Sequence, residues 1–483
     1  MAYATAGVRS YPAAECPQAR VRDNDHVNRV VIVGGGPGGY EAALVAAQLG
    51  AEVTVVERDG LGGSTVLTDC VPSKTLIATS DLMTDVSGST ELGILARSAS
   101  VVDLRQVNQR VKRLAVAQSD DIRRRIEREN VQVIAGTARM DGPESVVVER
   151  ADGGTEHLSS QIVLLATGAH PRVVDSAVPD GERILTWEQV YELDELPEHL
   201  VVVGSGVTGA EFAGAYKALG CEVTLVSSRD RVLPGEDPDA AVVLEEVFTR
   251  RGMNVLSRSR MESVERKGDS VLVRLTDGRE VEGSHCLLAL GSIPNSENLG
   301  LDSAGVAVDS GGFIQVDRVS RTSARGVYAA GDCTGVLMLA SVAAMQGRIA
   351  MAHALGDAVH PLRLRTVVSN VFTAPEIATV GVTQKEIDAG EVDAESVTLR
   401  LSGNPRAKMQ GVRDGFVKLF CRAGGGAVIG GVVVAPRASE LIHSVSLAVS
   451  TGLTTDQVAN AFTVYPSMSG SVAEAARRLH QPR

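Results

Sequence analysis

Two glycine-rich segments carry the residues whose types and spacing most clearly indicate chemistry. Both have the pattern G-x-G-x-x-G, with the glycines Gly34, Gly36 and Gly39 in the first segment and Gly204, Gly206 and Gly209 in the second. In a dinucleotide-binding turn the first glycine makes the turn, the second lets the backbone approach the pyrophosphate, and the third packs the helix against the strand. The N-terminus of the following helix then offers free N–H groups to the phosphates. The repeated pattern predicts two dinucleotide-binding sites in one chain.

The two segments differ where their second strand ends. The first segment closes with Glu57, and a carboxylate at this point binds the ribose 2′-OH of a dinucleotide. The second closes with Ser227, followed by Ser228 and Arg229. Because only one copy keeps the carboxylate, we expect the two segments to bind different ligands.

Each glycine motif lies between a strand pattern and a helix pattern. An apolar, β-branched run precedes the glycines, an alanine-rich stretch of helical period follows them, and a second apolar run comes next. The order strand, turn, helix, strand predicts a βαβ unit in each copy. A long amphipathic stretch from Val101 to Asn130 lies between the copies, and another alanine-rich helix is predicted from Ser341 to Leu355.

The pattern changes from about Leu364 onward. Alternating strands are predicted over Val367–Thr373, Gly415–Cys421 and Val428–Val434, followed by two terminal helices. This region has no nucleotide motif of its own. It predicts a third domain of the α+β class.

Composition narrows the classes of binding partner and the cellular compartment that we expect. A chain of 483 residues is expected to form two to four domains. Its net charge of −12 argues against a nucleic-acid partner, and no apolar run reaches the roughly 20 residues of a membrane span. The six cysteines are scattered without a C-x-x-C pair, which predicts no metal site, no disulfide framework and a reducing, cytoplasmic setting. Residues 1–28 are polar and mixed, and we expect a disordered tail there.

Several ordered motifs give the chain a family resemblance. Beyond the two glycine segments they are Leu164–Gly168, Ala289–Asn295, Tyr328–Asp332 and Val371–Glu376. From about Arg29 to Leu479 the chain resembles the flavoprotein disulfide reductase superfamily, the group of lipoamide dehydrogenase and glutathione reductase. The resemblance implies an α/β fold with two Rossmann-like dinucleotide-binding domains and a C-terminal α+β dimerisation domain. We expect an FAD domain at 29–170 and 292–362, an NAD(P) domain at 171–291 and the dimerisation domain at 363–483.

The sequence departs from that family where disulfide chemistry would take place. The disulfide-reducing members have two cysteines separated by four residues, but here Thr65 stands in the first position and Cys70 in the second. Near the C-terminus Tyr465 replaces the family's catalytic His, and Gly470 replaces the Glu that pairs with it. Dithiol–disulfide exchange needs an attacking thiolate, a resolving thiol and a base. We therefore expect that no disulfide substrate is reduced.

Without disulfide exchange, the chemistry that remains is the reduction of a flavin by a nicotinamide. The segment Asp69–Lys74 and the sequence Tyr-Pro-Ser near the end are similar to the actinobacterial NAD(P)H-quinone reductase branch of the superfamily. This similarity implies FAD as cofactor, a quinone or another small planar acceptor as oxidising substrate, and a homodimer or higher homo-oligomer. The second strand end, with Ser227 and Arg229, leads us to expect both NADH and NADPH as donors, with a preference for NADPH.

The resemblance assigns four residues to catalysis. Lys74 and Glu211 are expected to meet beside the reactive part of the flavin, where a cation stabilises the charge of the reduced form. Cys70 stands near a predicted helix start, where the dipole favours a thiolate, but a small apolar filler is an equal alternative. Tyr465 either donates a hydrogen bond to a quinone oxygen or has a packing role. All three of Thr65, Cys70 and Tyr465 are expected to line the acceptor cleft.

The cofactor contacts are also carried over residue by residue. For FAD we expect Gly34, Gly36, Pro37, Gly38, Gly39, Glu57, Gly63, Thr65, Lys74, Gly136, Thr167, Gly168, Asp332 and Ala340. For the nicotinamide nucleotide we expect Gly204, Gly206, Val207, Thr208, Gly209, Glu211, Ser227, Ser228, Arg229 and Gly291. Two other functions stay open at this point, a pyridine-nucleotide transhydrogenase and a redox-silent FAD-binding subunit.

Overall fold

The computed structural model describes residues 27–94, 101–424 and 426–480. The tail that we expected at residues 1–28 lies outside the described residues, apart from its last two positions. Within the described ranges, no helix is long and apolar enough to cross a membrane.

The described helices include those predicted after the two glycine motifs, over Val101–Asn130 and over Ser341–Leu355. They are α1 Pro37–Gln48, α2 Gly63–Leu67, α3 Cys70–Gly88, α4 Leu104–Arg128, α5 Val207–Leu219, α6 Pro238–Arg250, α7 Leu301–Ala304, α8 Ala340–Ala354, α9 Gln384–Asp388, α10 Pro405–Met409, α11 Ala438–Thr451, α12 Thr455–Ala459 and α13 Gly470–Arg478. Short 3-10 turns cover Ser89–Leu92, Val190–Glu192, Asp332–Thr334, Leu364–Thr366 and Leu401–Gly403.

The described strands form five sheets. They are β1 Arg29–Val33, β2 Glu52–Glu57, β3 Gln132–Met140, β4 Ser145–Arg150, β5 Thr155–Ser159, β6 Ile162–Leu165, β7 Ala169–Pro171, β8 Ile184–Thr186, β9 His199–Val203, β10 Glu222–Val226, β11 Asn254–Leu256, β12 Met261–Lys267, β13 Ser270–Leu275, β14 Glu280–Gly283, β15 His285–Leu288, β16 Ser292–Pro294, β17 Val327–Ala329, β18 Val368–Val371, β19 Glu376–Gly381, β20 Ala394–Arg400, β21 Phe416–Arg422 and β22 Val428–Ala435.

The first glycine segment lies at the centre of a seven-stranded sheet with the order β17-β6-β1-β2-β3-β4-β5. The five strands from β17 to β3 are parallel, and β4 and β5 continue the sheet antiparallel. Strand β1 begins with the exposed Arg29 and is apolar and buried from Val30 to Val33, because a parallel strand is covered on both faces. Helix α1 packs closely on α8, where a Cβ at Gly347 would lie 2.1 Å from the carbonyl oxygen of Gly38.

The second glycine segment forms its own parallel sheet of five strands, with the order β11-β10-β9-β15-β8. Strand β9, helix α5 and strand β10 repeat the βαβ unit of the first segment, and β9 pairs in parallel with β10 and β15. A three-stranded antiparallel sheet, β12-β13-β14, and the pair β16-β7 complete this region. The prediction of two Rossmann-like units is therefore confirmed.

The C-terminal part forms a five-stranded antiparallel sheet with the order β18-β19-β22-β21-β20. Helix α11 packs on β22 and β19, and α13 packs on β21 and β20. The prediction of two terminal helices omitted α12, a short helix that Thr454 begins with a capping box. The α+β character predicted for this domain is confirmed.

A buried ion pair joins the C-terminal sheet to the second Rossmann unit. Lys418 on β21 has a side chain that is only 3% exposed, and its Nζ lies 2.9 Å from Asp237 Oδ2 and 2.6 Å from Asp239 Oδ2. The other oxygen of Asp237 accepts hydrogen bonds from the first backbone N–H groups of α6. Because a buried charge that loses its partner is costly, this contact fixes how α6 meets the C-terminal sheet.

Candidate cofactor and redox site

The first glycine motif forms a tight turn with one open position. A Cβ at Gly34 would lie 2.3 Å from the carbonyl oxygen of Ala166, and a Cβ at Gly39 would lie 1.9 Å from the carbonyl oxygen of Gly34. At Gly36 a Cβ would meet nothing within 4 Å. Gly36 is also the N-cap of α1, and no side chain caps that helix. Free backbone N–H groups therefore face an open space, as phosphate binding at a helix N-terminus requires.

The second motif repeats this geometry at α5. A Cβ at Gly204 would lie 2.2 Å from the carbonyl oxygen of Ala289, a Cβ at Gly209 would lie 1.8 Å from that of Gly204, and Gly206 again has nothing within 4 Å. The first helical residues, Val207 and Thr208, have no side-chain cap before them. The two motifs therefore share the same shape as well as the same sequence pattern.

The two strand ends have different geometry. Glu57 accepts hydrogen bonds from the backbone N–H groups of Gly35 at 2.6 Å and Asp59 at 2.7 Å, and it stands at the edge of the first turn. Ser227 is fully buried, and its hydroxyl shares a hydrogen bond of 2.7 Å with the hydroxyl of Ser205. In this position Ser227 does not reach the surface, so the expectation that it contacts a nucleotide is not met by the described geometry. The next two residues, Ser228 and Arg229, are exposed.

A cleft of about 910 Å³ begins at the first glycine motif. This volume is near the upper end of the range of ligand pockets, which is about 300–1,000 Å³. Its walls include most residues predicted for FAD, namely Gly34, Gly36, Pro37, Gly38, Glu57, Gly63, Thr65, Gly136, Thr167, Gly168, Asp332 and Ala340. Gly39 lies beneath the turn and packs against it. The free helix N-terminus, the Glu57 carboxylate and the open face of Gly36 together fit a dinucleotide.

A hydrogen-bonded corner of this cleft was not predicted from the sequence. Asn295 donates from Nδ2 to the carbonyl oxygen of Thr167 at 2.8 Å, and Thr167 donates from its hydroxyl to the carbonyl oxygen of Asn295 at 2.7 Å. His170 Nδ1 lies 2.6 Å from Asn295 Oδ1. Asn295 ends one of the motifs that carry the family resemblance, and that position was the available signal.

Lys74 and Glu211 meet where three parts of the chain converge. Lys74 on α3 places its Nζ 2.8 Å from Glu211 Oε2 on α5, and the Glu211 side chain is only 3% exposed. The other oxygen of Glu211 accepts the backbone N–H of Phe372, just after β18, at 2.8 Å. Lys74 Nζ also lies 5.0 Å from the centre of the Phe372 ring. The structure thus brings the expected pair together and fixes it from the C-terminal region.

Burial controls the charges in this region. Burial raises the pKa of Glu211, although the Lys74 charge and the hydrogen bonds oppose this effect. Burial lowers the pKa of Lys74, but the charges of Glu211, Cys70 and Asp69 and the hydrogen bond to Glu211 together outweigh it, so the net pKa is raised. Lys74 therefore stays cationic at neutral pH. At the cleft wall, burial and the neighbouring Asp69 raise the pKa of Asp332 to about 6.

Cys70 is the first residue of α3, yet it is not a thiolate. Burial raises the pKa of the Cys70 thiol to about 12, and the charges of Asp69 and Glu211 add to this effect against that of Lys74. The sequence argument that the helix dipole favours a thiolate is therefore wrong for this position. The thiol is protonated at neutral pH and is a poor nucleophile.

Tyr465 lies outside the cleft of its own chain. Its side chain is 83% exposed, and two neighbours, Phe462 and Val464, are exposed as well. Gly470 begins α13 and has no acidic side chain to offer. The structure therefore does not bring the predicted C-terminal residue to the cleft within one chain.

Two family profiles match the chain. The profile described as pyridine nucleotide-disulphide oxidoreductase matches residues 28–347, and its dimerisation domain matches residues 367–476. A Mycobacterium tuberculosis protein named NAD(P)H dehydrogenase (quinone) is 56% identical over 463 residues, which is 94% of each chain. A dihydrolipoyl dehydrogenase of Chlorobaculum parvum is 33% identical over 451 residues, which is 92% of this chain and 96% of that protein.

Solved structures resemble the fold over nearly the whole chain. The crystal structure of LpdA from Mycobacterium tuberculosis matches with a TM-score of 0.91 and 55% identity, covering 94% of this chain and 100% of that one. RclA, a flavoprotein disulfide reductase from Escherichia coli, matches with a TM-score of 0.83 at 24% identity, covering 93% of this chain and 99% of that one, which shows the shared fold alone.

The open face of Gly36 makes a specific prediction about FAD. A valine there would place its side chain in the space beside the free helix N-terminus, so Gly36→Val should abolish FAD binding. Flavin absorbance of the purified protein measures this directly. Gly88→Val is the matched control, because Gly88 lies on α3 with nothing within 4 Å and has a helical φ of −80°. Flavin bound at wild-type stoichiometry in Gly36→Val would contradict the assignment.

Proposed function

Since the chain belongs to the pyridine nucleotide-disulphide oxidoreductase family, we propose that it is an FAD-dependent NAD(P)H:quinone oxidoreductase that works without a redox disulfide. The observation that carries this proposal is the state of the Thr65–Cys70 segment. Thr65 on α2 lines the cleft in place of a cysteine, and none of the described cysteines forms a disulfide. The relative at 56% identity is named for quinone reduction, which supports a quinone as the acceptor.

The residues of the chain have separable tasks in this proposal. The helix N-termini after Gly36 and Gly206 bind the pyrophosphates of the two nucleotides. FAD, when bound, takes two electrons from NAD(P)H as a hydride and passes them to an acceptor. Lys74 holds a fixed positive charge that stabilises negative charge arising during reduction, and Glu211 holds Lys74 in place. With Cys70 protonated, no group in the described site is poised to exchange with a disulfide.

The proposed working unit is a homodimer built on the C-terminal domain. Residues 367–476 match a dimerisation domain, and the side chains of Phe462, Val464 and Tyr465 stand exposed on it. Exposed apolar side chains in one segment are typical of a surface that a partner covers. In this assembly Tyr465 would extend the acceptor cleft of the other subunit.

A transhydrogenase is the second candidate, because a strand end without a carboxylate accepts both nucleotides. A redox-silent FAD-binding subunit is the third candidate. The buried ion pair of Lys74 and Glu211 argues against it, because a protein that only binds FAD does not need this pair. Hydride transfer between NADPH and an NAD⁺ analogue at a rate above quinone reduction would favour the second candidate. A bound flavin that NADPH fails to bleach without air would favour the third.

Anaerobic titration tests the absence of a dithiol. Because the flavin is the only electron store in this proposal, one equivalent of NADPH per flavin should complete the reduction, and a quinone should reoxidise it. A disulfide-containing relative serves as the control that takes up a second equivalent. Cys70→Ser should retain quinone reduction within a factor of about two, since a protonated thiol is not the nucleophile. Loss of turnover in Cys70→Ser with FAD still bound would overturn the proposal, as would rapid reduction of lipoamide by the wild type.

Nucleotide choice depends on the pairing of Ser205 with Ser227. In the first motif Gly35 occupies the position equivalent to Ser205, and a Cβ there would lie 3.1 Å from Glu57 Oε2. A glutamate at 227 therefore needs a glycine at 205. We propose that Ser205 and Ser227, which are hydrogen-bonded to each other, do not contact the nucleotide, and that Ser228 and Arg229 contact its ribose instead. Both NADH and NADPH then bind, with a preference for NADPH.

The double variant Ser205→Gly/Ser227→Glu rebuilds the first strand end in the second motif. It should lower kcat/KM for NADPH by about 2 kcal/mol, roughly thirtyfold, through repulsion of the 2′-phosphate, and should preserve or raise kcat/KM for NADH. Steady-state kinetics with both nucleotides measure the shift, and Ser205→Gly alone is the control. An unchanged ratio of the two kcat/KM values in the double variant would show that another part of the chain selects the nucleotide.

A further inference from the structure

A buried ion pair holds the start of α6 against the C-terminal sheet. Both side chains, Lys418 on β21 and Asp237 at the N-cap of α6, are only 3% exposed. Nζ of Lys418 lies 3.0 Å from Oδ1 and 2.9 Å from Oδ2 of Asp237, and 5.7 Å from the centre of the Phe416 ring. Because a charge buried this deeply is costly to leave unpaired, the pair constrains where α6 begins.

Apolar packing surrounds the pair but does not define this position in the same way. Phe416 and Phe420 on β21 belong to one buried apolar cluster with Leu244 of α6. The hydrophobic effect is non-directional, whereas two charge-assisted hydrogen bonds to one carboxylate require a particular arrangement of donor and acceptor. Lys418 therefore gives the start of α6 a defined place on the sheet.

Asp237 also ends the segment that follows the second βαβ unit. Residues 228–236 connect the end of β10 to α6 through bends and turns alone. This connecting segment begins with the exposed Ser228 and Arg229, the two residues proposed to contact the ribose. Without a helix or strand of its own, its course depends on the contacts that fix its ends.

The connecting segment is tied to the second glycine motif. The backbone N–H of Leu233 donates to the carbonyl oxygen of Ser205, which lies within that motif, at 2.8 Å. Leu233 is 1% exposed and has a φ of 52°, in the left-handed region that a leucine rarely adopts. A strained backbone of this kind persists only where the surrounding contacts impose it. The N–H of Glu236 donates to the carbonyl oxygen of Leu233 at 3.1 Å, so the contacts run from the motif to the residue before Asp237.

Other contacts hold the connecting segment to its own domain. The N–H of Val232 donates to Glu245 of α6 at 3.1 Å, and the N–H of Arg258 donates to the carbonyl oxygen of Arg229 at 2.8 Å. Neither of these two contacts reaches the C-terminal sheet. The ion pair of Lys418 is the contact that connects this segment, through the helix start, to another domain.

We propose that Lys418 is a positioning residue for the nucleotide. Through Asp237 it holds the connecting segment where the first two residues of that segment meet the ribose of NAD(P)H. The inference rests on the proposed function, because this nucleotide is the hydride donor. The C-terminal sheet then supports both ends of the second nucleotide site, since the N–H of Phe372, just after β18, holds Glu211. Lys418 is itself buried, so it acts on the nucleotide only through this chain of contacts.

Binding of NADP⁺ to the holoenzyme tests this role, because the measurement needs no electron acceptor. Lys418→Met keeps an apolar stem and removes the charge, which leaves the Asp237 carboxylate buried without its partner. We expect the start of α6 to move toward water and the connecting segment to move with it. The Kd for NADP⁺, measured by isothermal titration calorimetry, should rise about tenfold with FAD still bound.

Steady-state kinetics give a readout that a merely structural contact would not move. With a quinone as acceptor, the loss in Lys418→Met should fall on the KM for NADPH, while kcat stays within about twofold of wild type. A contact that only stabilises the fold would lower Tm and leave this KM unchanged.

Asp414→Asn is the matched control in the same interface. Asp414 pairs with Arg250, the last residue of α6, and both side chains reach solvent. This pair joins the same helix to the C-terminal domain, but it lies about 20 Å along the helix from Asp237. Because it is exposed and distant from the connecting segment, its loss should leave the Kd for NADP⁺ within about twofold of wild type.

The double variant Lys418→Met/Asp237→Asn carries the test if the single variant fails to fold. It removes both buried charges, and asparagine caps a helix as well as aspartate does, so α6 keeps its start. Asp239, which also lies near Lys418, has a side chain that is 62% exposed and is solvated without that partner. The ion pair is still lost, so the Kd for NADP⁺ should rise here as well.

The outcomes separate this inference from the function beneath it. A Kd for NADP⁺ within about twofold of wild type, in a Lys418 variant that folds and binds FAD, would overturn the positioning role even with a lowered Tm. An equal rise in Asp414→Asn would overturn it too. A raised Kd and KM in the Lys418 variants alone would establish it. A wild-type protein that binds NADP⁺ but reduces no quinone would overturn the proposed function and leave the binding result standing.

Discussion

The ion pair of Lys74 and Glu211 is the contact on which the rest of the site depends. It joins α3 of the first Rossmann unit to α5 of the second, and the backbone N–H of Phe372 ties it to the C-terminal sheet. A carboxylate that is 3% exposed is stable only when its charge is paired and its oxygens are bonded. The three parts of the chain must therefore close together around this pair. Closure in turn fixes α3, which follows directly after the cleft-lining residues Thr65 and Thr68.

The proposed chemistry differs from that of the disulfide-reducing family members because a few side chains at the nucleotide sites and the cleft differ. The glycine turns at Gly34 and Gly204 are nearly identical in shape, so the two nucleotide sites are distinguished by their strand ends, Glu57 and Ser227. In the proposed function, Thr65 on the cleft wall leaves Cys70 without a second cysteine for disulfide exchange. Burial then keeps the remaining thiol protonated. Electron transfer through the flavin needs none of these groups.

The sequence predicted those features whose signal is local or shared with a family. Glycine spacing, apolar strands and helical period located the βαβ units, and the helix expected over Val101–Asn130 is observed as Leu104–Arg128. The motifs also indicated that Lys74 and Glu211 meet. Two features could not be predicted in this way, because they depend on burial and on contacts between distant segments. Ser227 turns inward to Ser205, and burial outweighs the helix dipole at Cys70.

The most direct test of the account is the rate at which NADPH reduces the bound flavin in Lys74→Met, measured by stopped flow without air. Because Lys74 is proposed to stabilise the negative charge that arises when the flavin is reduced, the rate constant should fall by about tenfold to a hundredfold with FAD still bound. Lys112→Met, which removes an exposed lysine paired with Glu192, should reduce at the wild-type rate. Flavin reduction in Lys74→Met as fast as in wild type would contradict the account.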